Sequence, residues 1–158
     1  MNAQRIEKEL ITLTKLLIQT PSPSGHEKDV ADIIAHEMKR LQYNEVIIDD
    51  IGNVIGIIKG ESNKPSILFT THMDHVPPGE RGKWLFDPFE GVIEDGYIYG
   101  CGAADAKGPL VIQLLIKHVL KNIKGYGNIL VAFTVGEEVG GFGSQYLLQY
   151  LDLSPPDS

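Results

Sequence analysis

Apolar residues recur at helical spacing in two segments near the start of the chain. Ile6, Leu10 and Leu13 belong to a stripe that predicts an amphipathic helix over residues 4–19. The sequence "TPSPSG" follows, and its two prolines and its glycine are expected to end that helix. A further apolar stripe predicts a second helix over residues 26–41.

Runs rich in β-branched residues predict the strands. "NEVIID" and "NVIGIIKG" flank a turn, "PSILFTTHMD" begins apolar on both faces, and "NILVAFTV" comes late in the chain. "VIEDGYIYG" predicts a hairpin, because Asp95–Gly96 suits a tight two-residue turn. Further helices are predicted for "AKGPLVIQLLIKHVLKNI" and "GSQYLLQYLDL". This alternation indicates an α/β fold, a three-layer sandwich with a mostly parallel central sheet flanked by helices.

Composition narrows the classes of partner. The 158 residues fit one domain, and a formal net charge of −7 argues against nucleic acid or an anionic membrane as the main partner. The single cysteine, Cys101, excludes an internal disulfide and suits a reducing compartment. The start of the chain is charged where a signal peptide is apolar, and no apolar run approaches the roughly 18 residues of a membrane-spanning helix. The expected location is therefore the cytoplasm.

The stretch "ILFTTHMDHVPPGE" places polar groups at the end of an apolar strand. His72 and Asp74 lie two positions apart, so their side chains are expected to point to the same face. From there the carboxylate could hold the imidazole in one tautomer, as carboxylates behind metal-bound histidines do. For this pair alone, a solvated strand end is the alternative interpretation.

Two later clusters supply further acids. Asp105, in "YGCGAADAKGPL", could cap the following helix, or it could hold a ligand that the small neighbouring residues allow to approach. Glu137 and Glu138 follow the strand "NILVAFTV" and could be solvated, but adjacent carboxylates repel unless a cation or proton lies between them. Together with a histidine at the strand ends, where α/β sheets bind ligands, these acids suit zinc, cobalt or manganese.

Several motifs in order carry a family resemblance. "HMDHVPPG", "W…DPF", "DGYIYGCGAADAKG" and "TVGEEVGGFGS" resemble the di-zinc amidohydrolase and exopeptidase family that contains acetylornithine deacetylase, succinyl-diaminopimelate desuccinylase, aminoacylase and carboxypeptidase G. "PSPSGHE" resembles the N-terminal loop of that family. The resemblance extends from the first helix to about Tyr150. It implies a metal-dependent hydrolase that cleaves an amide bond of a small substrate, either an N-acyl amino acid or a short peptide.

The resemblance also implies roles for individual residues. His72 would bind one metal ion, Asp105 would bridge two ions, and Glu138 would bind the second. Glu137 would be the general base for a metal-activated water, and Asp74 would orient His72. The two ions would be zinc, with cobalt or manganese possible. The peptide bond that follows Asp105 is expected to be cis.

The chain departs from the family pattern in two respects. Cys101 stands where relatives often carry arginine, at a position that is not a ligand, and we expect a small buried thiol there. Family members are also more than twice as long, and they add a lid domain and further ligands. Residues 1–158 are therefore expected to be the N-terminal portion of the catalytic domain, with the later strands and the lid absent.

That shortness leaves a second hypothesis open. Each ion would have only two of three expected protein ligands, so the chain alone is expected to be inactive. It could instead be a catalytically incomplete fragment that acts at most as a weak metal-binding or interaction module. The sheet edge left uncovered by the missing strands could also lead to self-association.

Overall fold

The computed structural model describes residues 3–61, 64–120 and 125–151. The helices are α1 (Ala3–Ile18), α2 (Lys28–Arg40), α3 (Gly108–Leu114), α4 (Ile116–Leu120) and α5 (Phe142–Tyr150). The strands are β1 (Glu45–Ile48), β2 (Val54–Ile58), β3 (Ile67–His72), β4 (Val92–Glu94), β5 (Tyr97–Tyr99) and β6 (Ile129–Thr134). No helix in these ranges is long and apolar enough to cross a membrane.

The elements follow the predicted order along the chain. The β4–β5 hairpin turns at Asp95 and Gly96, both with positive φ, as a tight two-residue turn requires. The long helix predicted for "AKGPLVIQLLIKHVLKNI" is divided at Leu115 into α3 and α4. The predicted ends of this helix and of the closing helix, residues 121–123 and 152–153, lie outside the described residues.

The central sheet has the strand order β1-β2-β6-β3. β3 pairs with β6 in parallel, whereas β1 with β2 and β2 with β6 pair antiparallel. The expected α/β class is confirmed, but the described sheet is mixed rather than mostly parallel. The turn between β1 and β2 is too short for the crossover that parallel neighbours need, whereas α3 and α4 supply one between β3 and β6.

Helices cover both faces of this sheet. Val131 and Phe133 of β6 belong to the main core, which they share with α1, α2 and α3. Ala132, between them, faces the opposite side and packs with Ile55 and with Leu147 of α5. Because successive strand residues point to opposite faces, this alternation gives the three layers that the sequence predicts.

β3 forms one end of the described sheet, and it is less covered than its apolar sequence predicts. Its first residue, Ile67, is 49% exposed, and only His72 at its carboxyl end is buried. A small cavity of about 220 Å³ lies beside this end of the sheet, lined by Ser66, Ile67, Leu68, Leu130 and Leu151. Self-association through this edge stays a prediction.

A buried asparagine joins the β1–β2 turn to the segment that follows β6. Asn53 is fully buried, and its Nδ2 donates to Asp49 Oδ2 at 2.8 Å and to the carbonyl of Gly143 at 3.0 Å. Its Oδ1 accepts from the backbone N–H of Val135 at 3.0 Å. Asn53 thereby fixes both ends of the segment between Val135 and Gly143, which carries the two predicted glutamates.

Substituting Asn53→Ala is expected to lower the free energy of unfolding by about 2–4 kcal/mol, because it leaves two buried backbone groups without partners. Asn44 provides a matched control, since it is exposed and accepts one hydrogen bond from Lys59 N–H. Urea denaturation should show less than half the loss for Asn44→Ala. Equal losses for the two variants would contradict the structural role of Asn53.

Candidate metal centre

The predicted site lies where two parallel strands end side by side. β3 ends at His72 and β6 ends at Thr134, and these two residues are partners in the strand register. The chain continues from one strand into Asp74 and from the other into Glu137 and Glu138. The carboxyl end of a parallel pair is where open α/β sheets bind ligands.

The turn that carries the glutamates depends on a glycine. Gly136 has a φ of 63°, and a Cβ added there would overlap the ring of Phe142. Its backbone N–H donates to Glu27 Oε1 at 3.0 Å, and Glu27 is itself buried. The chain can therefore turn sharply after β6 and present Glu137 and Glu138 beside β3.

Asp74 fastens this turn to the end of β3. Its carboxylate is fully buried and accepts the backbone N–H groups of Glu137 and Glu138, each at 3.1 Å. The hydroxyl of Ser24 donates to the same carboxylate at 2.6 Å. A buried carboxylate with three donors is well satisfied, so Asp74 can hold three separate chain segments together.

His72 lies between two carboxylates. Its Nδ1 is 3.1 Å from the backbone carbonyl of Asp74 and 3.3 Å from Asp74 Oδ1, while its Nε2 is 2.9 Å from Asp105 Oδ1. If the proton resides on Nδ1, the lone pair of Nε2 faces a second acceptor. That contact is favourable only when a proton or another cation lies between the two atoms.

The charges around His72 favour its protonated form when no metal is bound. Burial by itself lowers the pKa of this imidazole. The hydrogen bond with Asp105 and the negative charge of Asp74 outweigh burial, and the net effect is a raised pKa. The surroundings of Nε2 thus stabilise positive charge at this point.

The acids themselves form a crowded group. One ligand atom from each of His72, Glu137 and Glu138 lies within 4.8 Å of the others. Partial burial raises the pKa of Glu138, and the nearby charges of Asp105 and Glu137 raise it further, against an opposing effect of His72. A divalent cation would relieve this repulsion, and imidazole with carboxylates is a ligand set that suits zinc, cobalt or manganese.

Asp105 reaches the site from a different element. It lies in the irregular segment Ala103–Lys107, where its own backbone angles and those of Ala106 are not helical, and its side chain is 80% exposed. The Asp105–Ala106 peptide bond is cis, which confirms the expectation drawn from the resemblance. Asp105 contacts His72 but is not one of the three residues whose ligand atoms meet most closely.

The structure therefore brings all the predicted site residues to one end of the sheet. Asp74 contacts His72 and the turn after β6, and Asp105 contacts His72 from the other side. Glu137 and Glu138 each bring a ligand atom within 4.8 Å of a ligand atom of His72. The geometry consequently leaves Glu137 able to act either as a ligand or as the predicted base.

Strand alternation predicts that His75 points to the side opposite His72 and Asp74 and lies at the rim, but the structure buries it. It is 2% exposed, its Nδ1 donates to the carbonyl of Val76 at 2.7 Å, and its Nε2 accepts the backbone N–H of Ser22 at 3.0 Å. These partners fix the neutral tautomer, and burial lowers the pKa of His75. The parallel bridge between His75 and Pro23 pairs residues too distant in sequence for a local pattern to reveal.

The sequence alone predicts that Lys107 is an ordinary lysine at the start of a helix, but the structure buries this side chain as well. Its side chain is fully buried, and Nζ donates to the backbone carbonyls of Leu17 and Thr20. Burial lowers the pKa of Lys107 to about 8. The sequence carries no local signal for this burial.

An aspartate-to-asparagine substitution is expected to affect stability differently at Asp74 and at Asp105. Asp74→Asn is expected to lower the free energy of unfolding of the metal-free protein by about 2–4 kcal/mol, because it places an amide N–H group against several donors. Asp105→Asn is the matched control, since that side chain is exposed, and it should cost less than about 0.5 kcal/mol. Urea denaturation in the presence of a chelator measures both. A small loss at Asp74 would contradict its role as the fastening residue.

Relatives of known structure support the fold. Human carnosine dipeptidase 1 superposes with a TM-score of 0.80 at 22% identity, over 93% of this chain and 36% of that protein. A dinuclear metal-binding peptidase of the M20 family from Bacillus subtilis superposes with a TM-score of 0.72 at 22% identity, over 97% of this chain and 41% of that protein.

Sequence comparison identifies the family. Succinyl-diaminopimelate desuccinylase of Blochmanniella floridana is 32% identical over 150 residues, which are 90% of this chain and 39% of that enzyme. The chain thus spans well under half the length of these relatives. The family model described as peptidase family M20/M25/M40 matches residues 68–158, more than half of the chain. Taken with the desuccinylase match, this shows that the chain belongs to peptidase family M20/M25/M40.

Proposed function

We propose that this chain is the N-terminal portion of the catalytic domain of a metal-dependent hydrolase that cleaves amide bonds. The observation that carries the proposal is the contact of His72 Nε2 with Asp105 Oδ1 at 2.9 Å, beside the paired glutamates. Two acceptors that face each other among further carboxylates form a place that attracts a cation. Family membership supports the same chemistry.

The residues present fit a pair of divalent ions. His72 Nε2 and Asp105 would hold one ion, and Asp105 and Glu138 would hold the other, with zinc preferred and cobalt or manganese also suitable. When bound, divalent ions supply positive charge that polarises an amide carbonyl and makes a water molecule more acidic. Asp74, behind Nδ1, would keep Nε2 directed toward the ions.

Glu137 is the residue that we assign to proton transfer. Its side chain is exposed, it lies beside His72, and its own backbone N–H is held by Asp74. From that place its carboxylate can accept a proton from the attacking water and then deliver it to the leaving nitrogen. Protonation of the nitrogen by the Glu137 carboxyl group allows the amine to leave as a neutral molecule.

We assign the substrate class from chemistry and from the relatives together. Two similar proteins are named as a desuccinylase and a dipeptidase, and both names describe cleavage of a small amide. We therefore propose an N-acyl amino acid or a short peptide as the substrate.

Glu137→Gln should reduce hydrolysis of N-acetyl and N-succinyl amino acids and of dipeptides by about 100- to 10,000-fold, because the amide cannot accept the proton. The rates are measured in the complete gene product loaded with zinc. Glu7→Gln is the control, since Glu7 is exposed near the start of α1. Unchanged turnover in Glu137→Gln would remove the role that we assign to this residue.

A second candidate function is a weak metal-binding or interaction module. Each ion has only two of its proposed ligands in this chain, and the chain spans 39% of the length of the desuccinylase. Zinc calorimetry on the 158-residue chain distinguishes the two candidates. We expect two binding events of micromolar or tighter affinity. The substitution His72→Ala should weaken the first of them, whereas His36→Ala, which changes an exposed residue of α2, should not. Binding at one weak site would favour the second candidate.

A further inference from the structure

Lys107 is buried in a place that no metal ligand or proton-transfer step requires. It is among the largest fully buried side chains of the described chain. An ammonium group in such a place is costly unless its donors are satisfied. Its Nζ donates to the backbone carbonyl of Leu17 at 2.6 Å and to that of Thr20 at 2.8 Å. The lysine is therefore fixed to the last turn of α1 and to the second residue after that helix.

Asp105, unlike Lys107, has an exposed side chain. Its side chain is 80% exposed, and it contacts the rest of the site through His72. Packing cannot hold a side chain that is so exposed. The position of its carboxylate must therefore be set mainly by the backbone from which it projects.

Two backbone hydrogen bonds close the loop that carries Asp105. The N–H of Lys107 donates to the carbonyl of Gly102 at 2.8 Å, and the N–H of Gly108 donates to the carbonyl of Ala103. Asp105 thus projects from a short loop whose far end is Lys107. Because the side chain of Lys107 is anchored elsewhere, this loop has a fixed attachment two residues from the carboxylate.

The anchor point matters because it belongs to the loop that also holds β3. Thr20 opens that loop, Ser22 N–H donates to His75 Nε2, and Ser24 Oγ donates to Asp74 Oδ2. One segment of chain therefore contacts both the strand end that carries His72 and the lysine that follows Asp105.

We propose that Lys107 is a positioning residue that sets Asp105 against His72 and so determines the metal affinity of the site. The proposal rests on the metal site described under the proposed function. Lys107 itself touches neither metal nor substrate. It acts through the distance between two ligands that come from different elements, β3 and the loop before α3.

The test is a double-mutant cycle that is read by calorimetry with cobalt(II) and zinc on the full chain. Lys107→Met removes the ammonium but retains an apolar side chain of similar length. We expect it to weaken metal binding about 10- to 100-fold, the cost of losing a group that orients a ligand. In the Asp105→Asn background, where the positioned carboxylate is already lost, the same change should weaken binding less than about twofold.

Two controls separate positioning from general damage. Lys39→Met changes an exposed lysine of α2 and should leave affinity and the cobalt(II) absorption spectrum unaltered. Lys107→Gln retains one donor for the carbonyl of Leu17 or Thr20 and should give an intermediate loss. It also serves if Lys107→Met does not fold, in which case the cycle is run with the glutamine variant.

The results distinguish a failure of the positioning role of Lys107 from a failure of the proposed metal-dependent function. Wild-type affinity in Lys107→Met and Lys107→Gln would overturn the positioning role while leaving the metal site intact. Equal losses with and without Asp105→Asn would also overturn it, because they would indicate damage to the fold. Failure of the unmodified chain and of Lys39→Met to bind either metal would overturn the proposed function and this inference with it.

Discussion

The buried carboxylate of Asp74 is the interaction on which the site depends most. It accepts two backbone N–H groups from the turn after β6 and a hydroxyl from the loop after α1, and it also lies against the imidazole of His72. A fully buried charge is stable only when such donors surround it, so the three segments must come together for any of them to be well placed. The arrangement of the site therefore follows from the need to provide hydrogen-bond donors for the buried carboxylate of Asp74.

Much of this arrangement was predictable from the sequence, and the rest depended on contacts between distant residues. Local apolar periodicity predicted the elements, and the ordered motifs predicted that His72, Asp105 and Glu138 would share one end of the sheet. Strand direction is not local information, and the sheet proved mixed. Likewise no pattern around Lys107 reveals that its partners are backbone carbonyls at the end of α1 and just after it, about ninety positions earlier.

The site carries an excess of negative charge. Both ion pairs that the site acids form in the described chain involve His72, and Lys107 is turned away toward backbone carbonyls. Negative charge therefore accumulates around Asp105 and the two glutamates with one imidazole to offset it. Protonation of His72 can supply part of the missing positive charge, but it would occupy Nε2, the atom that we propose as a metal ligand. Under that proposal a proton and a metal ion would compete for the same position.

The acidic residues of the site differ in burial, and this difference separates their roles. Asp74 is enclosed and satisfied by protein donors, so its charge stabilises the fold whether or not a metal is bound. Asp105 and Glu137 are exposed, so the unloaded chain does not incur the cost of burying them without a cation. The scaffold can therefore form without a metal ion, with the carboxylates of Asp105 and Glu137 still open to solvent. The exposure of Asp105 is also the reason for our proposal that the buried Lys107 sets its position.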